Sequence, residues 1–259
     1  MTAVPAFDPS RLGPAKGAHI AVIGGSGGMG RALVRALIET GVDAVVLDLP
    51  RSLAEQPPPV PSFALDGNDE ASVEQAFALL RARWDALDGY VNLAGFVNNW
   101  GPVADTPAGV FENVAGGNLR AHFLCAKAAI PLLRAAPGQA AMVNISSTLG
   151  LDVYPGYVPY SVAKAGIIAM TKGLARENAP KIRVNAIAPG LTDTAFLTGG
   201  TGRDRAGNGV DPVRYARRVP MRRVAEPDDM VGPILFLLGP ASRHVTGETL
   251  IVDGGVYLQ

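Results

Sequence analysis

Cysteine is nearly missing: Cys125 stands alone in 259 residues, which excludes an internal disulfide and is compatible with a reducing compartment. The expected location is the cytoplasm. Net charge is missing too, because 23 Lys and Arg balance 23 Asp and Glu, so no overall field gathers nucleic acid or another polyanion. A small-molecule partner is the starting expectation. No apolar run is long enough to cross a bilayer. The first seventeen residues, with Pro5, Asp8, Pro9 and Pro14, lack the apolar core of a secretory signal and read as a surface extension. His19, His122 and His244 are scattered without a ligand pattern, so no metal site is implied.

With 48% hydrophobic residues and no compositional break, the chain is expected to form one domain over 18–259. Seven strand-like runs recur: His19 to Ile23, Ala44 to Leu47, Ser62 to Leu65, Tyr90 to Leu93, Ala141 to Ile145, Arg183 to Ile187 and Thr249 to Val252. Between them lie helical periodicities such as Met29, Leu33 and Leu37, then Val73, Phe77, Leu80 and Trp84. Strand alternating with helix predicts an α/β fold, a doubly wound parallel sheet covered by helices on both faces. Glu226-Pro227-Asp228-Asp229 opens the last helix. Gln56 to Pro61 reads as a surface loop. Leu191 to Ala225 is too long for an ordinary connection and reads as a lid over a pocket.

Ile23-Gly24-Gly25-Ser26-Gly27-Gly28-Met29-Gly30 links the first strand to the first helix, where backbone amides can approach a pyrophosphate closely. Two glycine spacings fit: Gly24, Gly28 and Gly30, or Gly25, Gly27 and Gly30. Asp48 ends the second strand eighteen residues after Gly30, placed to accept hydrogen bonds from an adenosine ribose and to repel a 2′-phosphate. No base lies in the glycine loop, and Arg51 is the nearest after the second strand, so NAD is expected over NADP. Farther on, Tyr160 and Lys164 stand four apart, on one face of a helix, thirteen residues after Ser147. An ammonium beside a phenol favours the ionised form and lowers its pKa from about 10.

Glycine loop, Asp48, Ser147, Tyr160 and Lys164, in this order and spacing, resemble the short-chain dehydrogenase/reductase family over nearly the full length. Asp66, Asn92-Leu93-Ala94-Gly95, Asn118, Pro189-Gly190 and Asp253-Gly254-Gly255 resemble further motifs of that family. The resemblance selects the Gly24, Gly28, Gly30 spacing. It implies a Rossmann-like oxidoreductase that interconverts a secondary alcohol and a ketone. Tyr160 would exchange the proton, Lys164 would assist it and hold the nicotinamide ribose, and Ser147 would bond the substrate oxygen. Ser146 competes for that last role, but the thirteen-residue offset selects Ser147. Asn118 would hold a water linking Lys164 to solvent, beside a helix distorted at Gly116 and Gly117. The cofactor contacts implied are Gly24, Ser26, Gly28, Met29, Gly30, Asp48, Asp66, Asn92, Ala94, Gly95, Tyr160, Lys164, Pro189, Gly190, Thr192 and Thr194.

Ile23 and Leu93 depart from the family pattern where threonine and a second asparagine are common, so apolar contact is expected to replace a hydrogen bond between two strand ends. Phe96, Val97, Trp100, Leu149, Tyr154, Tyr157, Phe196 and Leu197 are expected to face the pocket and imply an apolar or cyclic substrate. Arg203, Arg205, Arg214, Arg217 and Arg218 keep a 3-oxoacyl thioester as the second reading, although arginines on such a loop usually face water. A non-catalytic NAD sensor is the reading from another class. The resemblance also implies a homo-oligomer, tetramer or dimer, with no nucleic acid and no membrane as partner.

Overall fold

The structure is a computed structural model describing residues 12–97, 101–204 and 210–257. The first strand, β1 (His19–Ile23), leads through the glycine loop into α1 (Gly28–Glu39) and β2 (Asp43–Asp48). Then come α2 (Pro50–Glu55), β3 (Ser62–Ala64), α3 (Glu70–Arg83) and β4 (Gly89–Asn92). A short α4 (Ala108–Phe111) and one π-helical turn, Glu112–Gly116, precede α5 (Gly117–Ala135) and β5 (Ala140–Ile145). The chain closes with α6 (Val158–Asn178), β6 (Ile182–Pro189), α7 (Pro212–Ala216), α8 (Val231–Leu238) and β7 (Thr249–Val252).

All seven strands pair in parallel in the order β3-β2-β1-β4-β5-β6-β7. Parallel strands need crossovers, and covering both faces removes the strands from water, which is why β5 and β6 are buried at every residue. On one face Leu33, Val34 and Leu37 of α1 pack with Ile234 and Leu237 of α8. On the other, Val73, Phe77 and Leu80 of α3 pack with Leu124, Ala129 and Leu133 of α5. The order reverses between β1 and β4, so the loops after their carboxyl ends part and leave a crevice there.

The doubly wound fold and the seven strands agree with the sequence pattern. Three details go beyond it. Residues 50–55 form a helix of which only Ser52 is buried, too short to carry a period. The last helix begins as a 3-10 turn, Pro227–Met230, closed by a reciprocal cap between Glu226 and Asp229. The long segment after β6 is not bare loop: it holds a 3-10 turn, Ala195–Thr198, and α7, and its ends are drawn together by a Thr192–Ala225 bridge. Arg205 and Trp100 lie outside the described residues, as does most of the expected extension at 1–17. Among the described residues no helix is long and apolar enough to cross a membrane.

Candidate active site

The glycine loop is held by backbone geometry. Gly24 has φ +78°, and a Cβ there would lie 2.9 Å from Ala94 N, across the crevice between β1 and β4. At Gly30 a Cβ would lie 2.4 Å from Gly24 O, and at Gly28 it would strike the Thr194 side chain at 2.5 Å. These contacts support the Gly24, Gly28, Gly30 spacing, with Gly25 close against Val46 of β2. The α1 N-terminus has no side-chain cap and no acidic residue in its first turn, and Ser26 Oγ is buried with no hydrogen-bond partner. Open amides at a positive helix end and an orphaned hydroxyl fit a pyrophosphate.

Asp48 Oδ2 accepts from Ser26 N at 2.9 Å and Oδ1 from Leu49 N at 2.8 Å, which ties the carboxylate to both loops. Burial raises its pKa, partly offset by those two amides. The hollow beside it, about 100 Å³, is lined by Asp48, Asp66, Asn68, Gly95, Phe96 and Arg203. Phe96 therefore faces this hollow, and not the larger cavity as the sequence implies. Its ring carries the Arg203 guanidinium at 3.8 Å, so this arginine is half-buried against Phe96 rather than solvated. Arg51, the nearest base after the second strand, is paired with Glu55 and Asp204. The ends of β1 and β4 are joined by a backbone hydrogen bond, Leu93 N to Ile23 O at 2.9 Å, so more than apolar contact links them. Asn92 supports that corner, accepting from Ala94 N and donating to the Tyr90 hydroxyl.

A cavity of about 770 Å³ opens along the carboxyl ends of β4, β5 and β6. Met29, Gly95, Pro189, Gly190, Thr192 and Thr194 line it on the side of the glycine loop. Val97, Leu149, Tyr154, Tyr157, Phe196 and Leu197 give it apolar walls, as expected from sequence. Ser147, Tyr160 and Lys164 meet inside it. The turn carrying Ser147 packs directly on α6, because Gly150 has no Cβ to strike the Lys164 carbonyl carbon, which would be 2.8 Å away. Ser147 Oγ accepts from Leu149 N at 3.1 Å and is in hydrogen-bonding reach of Tyr160. Ser146 is turned elsewhere: its buried Oγ donates to Lys164 O at 2.7 Å and anchors α6.

Lys164 Nζ stands over the Tyr160 ring, 5.4 Å from its centroid, and donates to Ile145 O at 2.9 Å. Both groups are buried. Burial dominates their titration: it raises the Tyr160 phenol well above its ordinary value, against a smaller lowering by Ser147, and pulls Lys164 down to about 7. The expected lowering of the phenol by Lys164 is thus not what the protein alone produces. Desolvation outweighs a cation that sits over the ring face and bonds a carbonyl.

The distortion expected at Gly116 and Gly117 is the π turn ahead of α5. Asn118 clamps the backbone of Phe96, accepting from its N at 3.1 Å and donating to its O at 2.9 Å. Its own carbonyl meets His122 Nδ1 at 2.8 Å. A carbonyl oxygen only accepts, so Nδ1 carries the proton. Burial then keeps His122 neutral, with its pKa lowered to about 3. The sequence named His122 only in setting aside a metal site, although its four-residue offset from Asn118 is the signal that places it on the same helix face.

A family model described as enoyl-(acyl carrier protein) reductase matches residues 24–257. An uncharacterized short-chain type dehydrogenase/reductase of Sinorhizobium fredii is 36% identical over 248 residues, covering 92% of this chain, which spans 43% of that relative's length. Cis-4-hydroxycyclohexanecarboxylate dehydrogenase of Sinomonas cyclohexanicum is 33% identical, with 94% of this chain and 98% of the relative covered. Among solved structures, a 3-ketoacyl-(acyl-carrier-protein) reductase from Brucella melitensis complexed with NADH is 26% identical with a TM-score of 0.83, covering 94% of this chain and 99% of its own.

Proposed function

This chain belongs to the short-chain dehydrogenase/reductase family, oxidoreductases acting on CH–OH groups, and on that premise we propose that it oxidises a secondary alcohol to a ketone, or the reverse, with NAD. The observation that carries the reading is the meeting of Ser147, Tyr160 and Lys164 in one cavity that Met29 of the glycine loop also lines. NAD, when bound, supplies the hydride acceptor and a positive charge beside the phenol. Gly24, Ser26, Gly28 and Gly30 would hold its pyrophosphate, and Asp48 its adenosine ribose.

Within the chain each group has a task fixed by its contacts. Leu149 N–H occupies a lone pair of Ser147 Oγ, and the serine proton, within reach of Tyr160, would turn to donate to a substrate oxygen placed between them. Tyr160 gives or takes the proton on that same oxygen. Lys164 Nζ, held by Ile145 O, stands against the phenol face, and its protonated form adds positive charge there. The apolar walls support an apolar or cyclic substrate, in keeping with the cyclohexane compound named for the Sinomonas relative. Reduction of a 3-oxoacyl thioester is the second reading, supported by the likeness to the Brucella reductase. Exposed Phe123 on α5, Val162 on α6 and Leu250 on the edge strand β7 support a homo-oligomer.

Purified protein with NAD and a panel of cyclic and aryl secondary alcohols, read at the absorbance of reduced nicotinamide, tests the proposal. Turnover is expected. NAD binding with silence across the panel and with acetoacetyl-CoA plus NADH would instead mark a sensor. Changing Asp48→Ala is expected to erode preference for NAD over NADP by about tenfold or more, since a carboxylate facing a phosphate costs several kcal/mol. Equal use of both cofactors by the unaltered protein contradicts this role of Asp48.

A further inference from the structure

One wall of the cavity is built by the segment around α7, and it carries two cations, Arg214 and Arg218, beside two tyrosines and Asp211. Arg214 lies on α7 and Arg218 follows one turn later, where Arg218 N donates to Tyr215 O, so the two guanidiniums leave the same side of the turn. Both line the cavity, together with Tyr154 and Tyr215. Arg218 rests over the Tyr154 ring, 5.6 Å from its centroid. The Tyr215 hydroxyl accepts from Leu191 N at 3.3 Å, which fastens this wall to the end of β6.

Neither arginine makes an ion pair among the described residues, whereas Arg35, Arg51, Lys127 and Arg223 do. The carboxylate on this wall, Asp211, is engaged otherwise: its Oδ1 caps α7, accepting from Val213 N and Arg214 N. Both arginines are exposed in the open cavity, so an uncharged substrate packed against them would take water from the guanidiniums and give nothing in return, which is costly. A planar oxyanion removes that cost, since the guanidinium fork matches it with two parallel hydrogen bonds.

We infer that the substrate carries an anionic oxyacid group, a carboxylate, sulfonate or phosphate, gripped by Arg214 and Arg218 while its carbinol carbon lies at Tyr160 and Ser147. This inference rests on the alcohol–ketone reading above. It narrows that reading from an apolar molecule to one with an apolar body and a charged end.

A matched pair of alcohols provides the test: 4-(1-hydroxyethyl)benzoate and 1-phenylethanol, with NAD. The unaltered protein is expected to prefer the carboxylated alcohol in kcat/KM by about tenfold or more, corresponding to roughly 1.4 kcal/mol per factor of ten. Added salt should shrink the preference, and the Arg214→Gln/Arg218→Gln protein should bring the ratio to about one. A ratio at or below one in the unaltered protein, or one unchanged in a variant that melts normally, overturns the inference. If neither alcohol turns over, ligand-observed NMR titration of 4-acetylbenzoate and acetophenone into the NAD-loaded protein decides the matter separately. Tighter binding of the benzoate, lost in the double variant or on raising salt, supports the anion site even as silence counts against the alcohol–ketone chemistry. Equal binding of the two ketones overturns it.

Discussion

Tyr160→Phe protein is expected to fold, bind NAD and lose about 10³-fold in turnover, the scale of a positioned proton-transfer group. The substitution removes one hydroxyl from a buried ring that keeps its packing near Phe196, whose centroid is 6.0 Å away. Melting temperature should therefore hold while kcat falls. The pH dependence follows from the raised phenol. Alcohol oxidation needs Tyr160 without its proton, so in the unaltered enzyme oxidation should climb from pH 7 toward 10, and ketone reduction should fall over the same range. A Tyr160→Phe protein with most of its turnover intact removes the proton-transfer role. An oxidation profile that falls across that range contradicts the direction of the shift.

Lys164→Met is expected to separate activity from stability. Turnover should fall by about 10³-fold. Stability responds differently with pH, because the folded chain depresses this lysine from its ordinary 10.5 to about 7. Between those values the unfolded chain binds a proton that the folded chain does not, so folding stability from this group rises with pH through that window. The methionine protein has no such group. Its stability relative to the unaltered, NAD-free protein should be most favourable near pH 7 and become less so by roughly 3–5 kcal/mol as pH approaches 10.5. Denaturant unfolding of both proteins at several pH values checks this. A constant difference would mean that Lys164 titrates alike in the folded and unfolded chains, against the depression that burial brings.

The sheet was legible because each strand is a short apolar run between helical periods, and the parallel order follows from that alternation. Asp48 and the glycine loop were legible because backbone chemistry constrains residue type there. Contacts between distant segments were not. Phe96 follows a strand and looks like a pocket residue, but Asn118 holds its backbone and its ring faces Arg203 from 107 positions away. Short helices such as Pro50–Glu55 and Pro212–Ala216 carry too few residues to show a period, so the sequence could not place Arg214 and Arg218 side by side at the cavity. The spacing of Tyr160 and Lys164 gave their proximity. It could not give the dominance of burial over their mutual charge, which depends on how much water the fold excludes.

A crystal structure with NAD and a ketone would show whether Ser147 and Tyr160 share one substrate oxygen beside the nicotinamide. The ketone oxygen is expected within hydrogen-bonding reach of both Tyr160 Oη and Ser147 Oγ, with the nicotinamide C4 about 3–3.5 Å from the carbonyl carbon. A nicotinamide lying outside the cavity, or a ketone that touches neither hydroxyl, contradicts that arrangement.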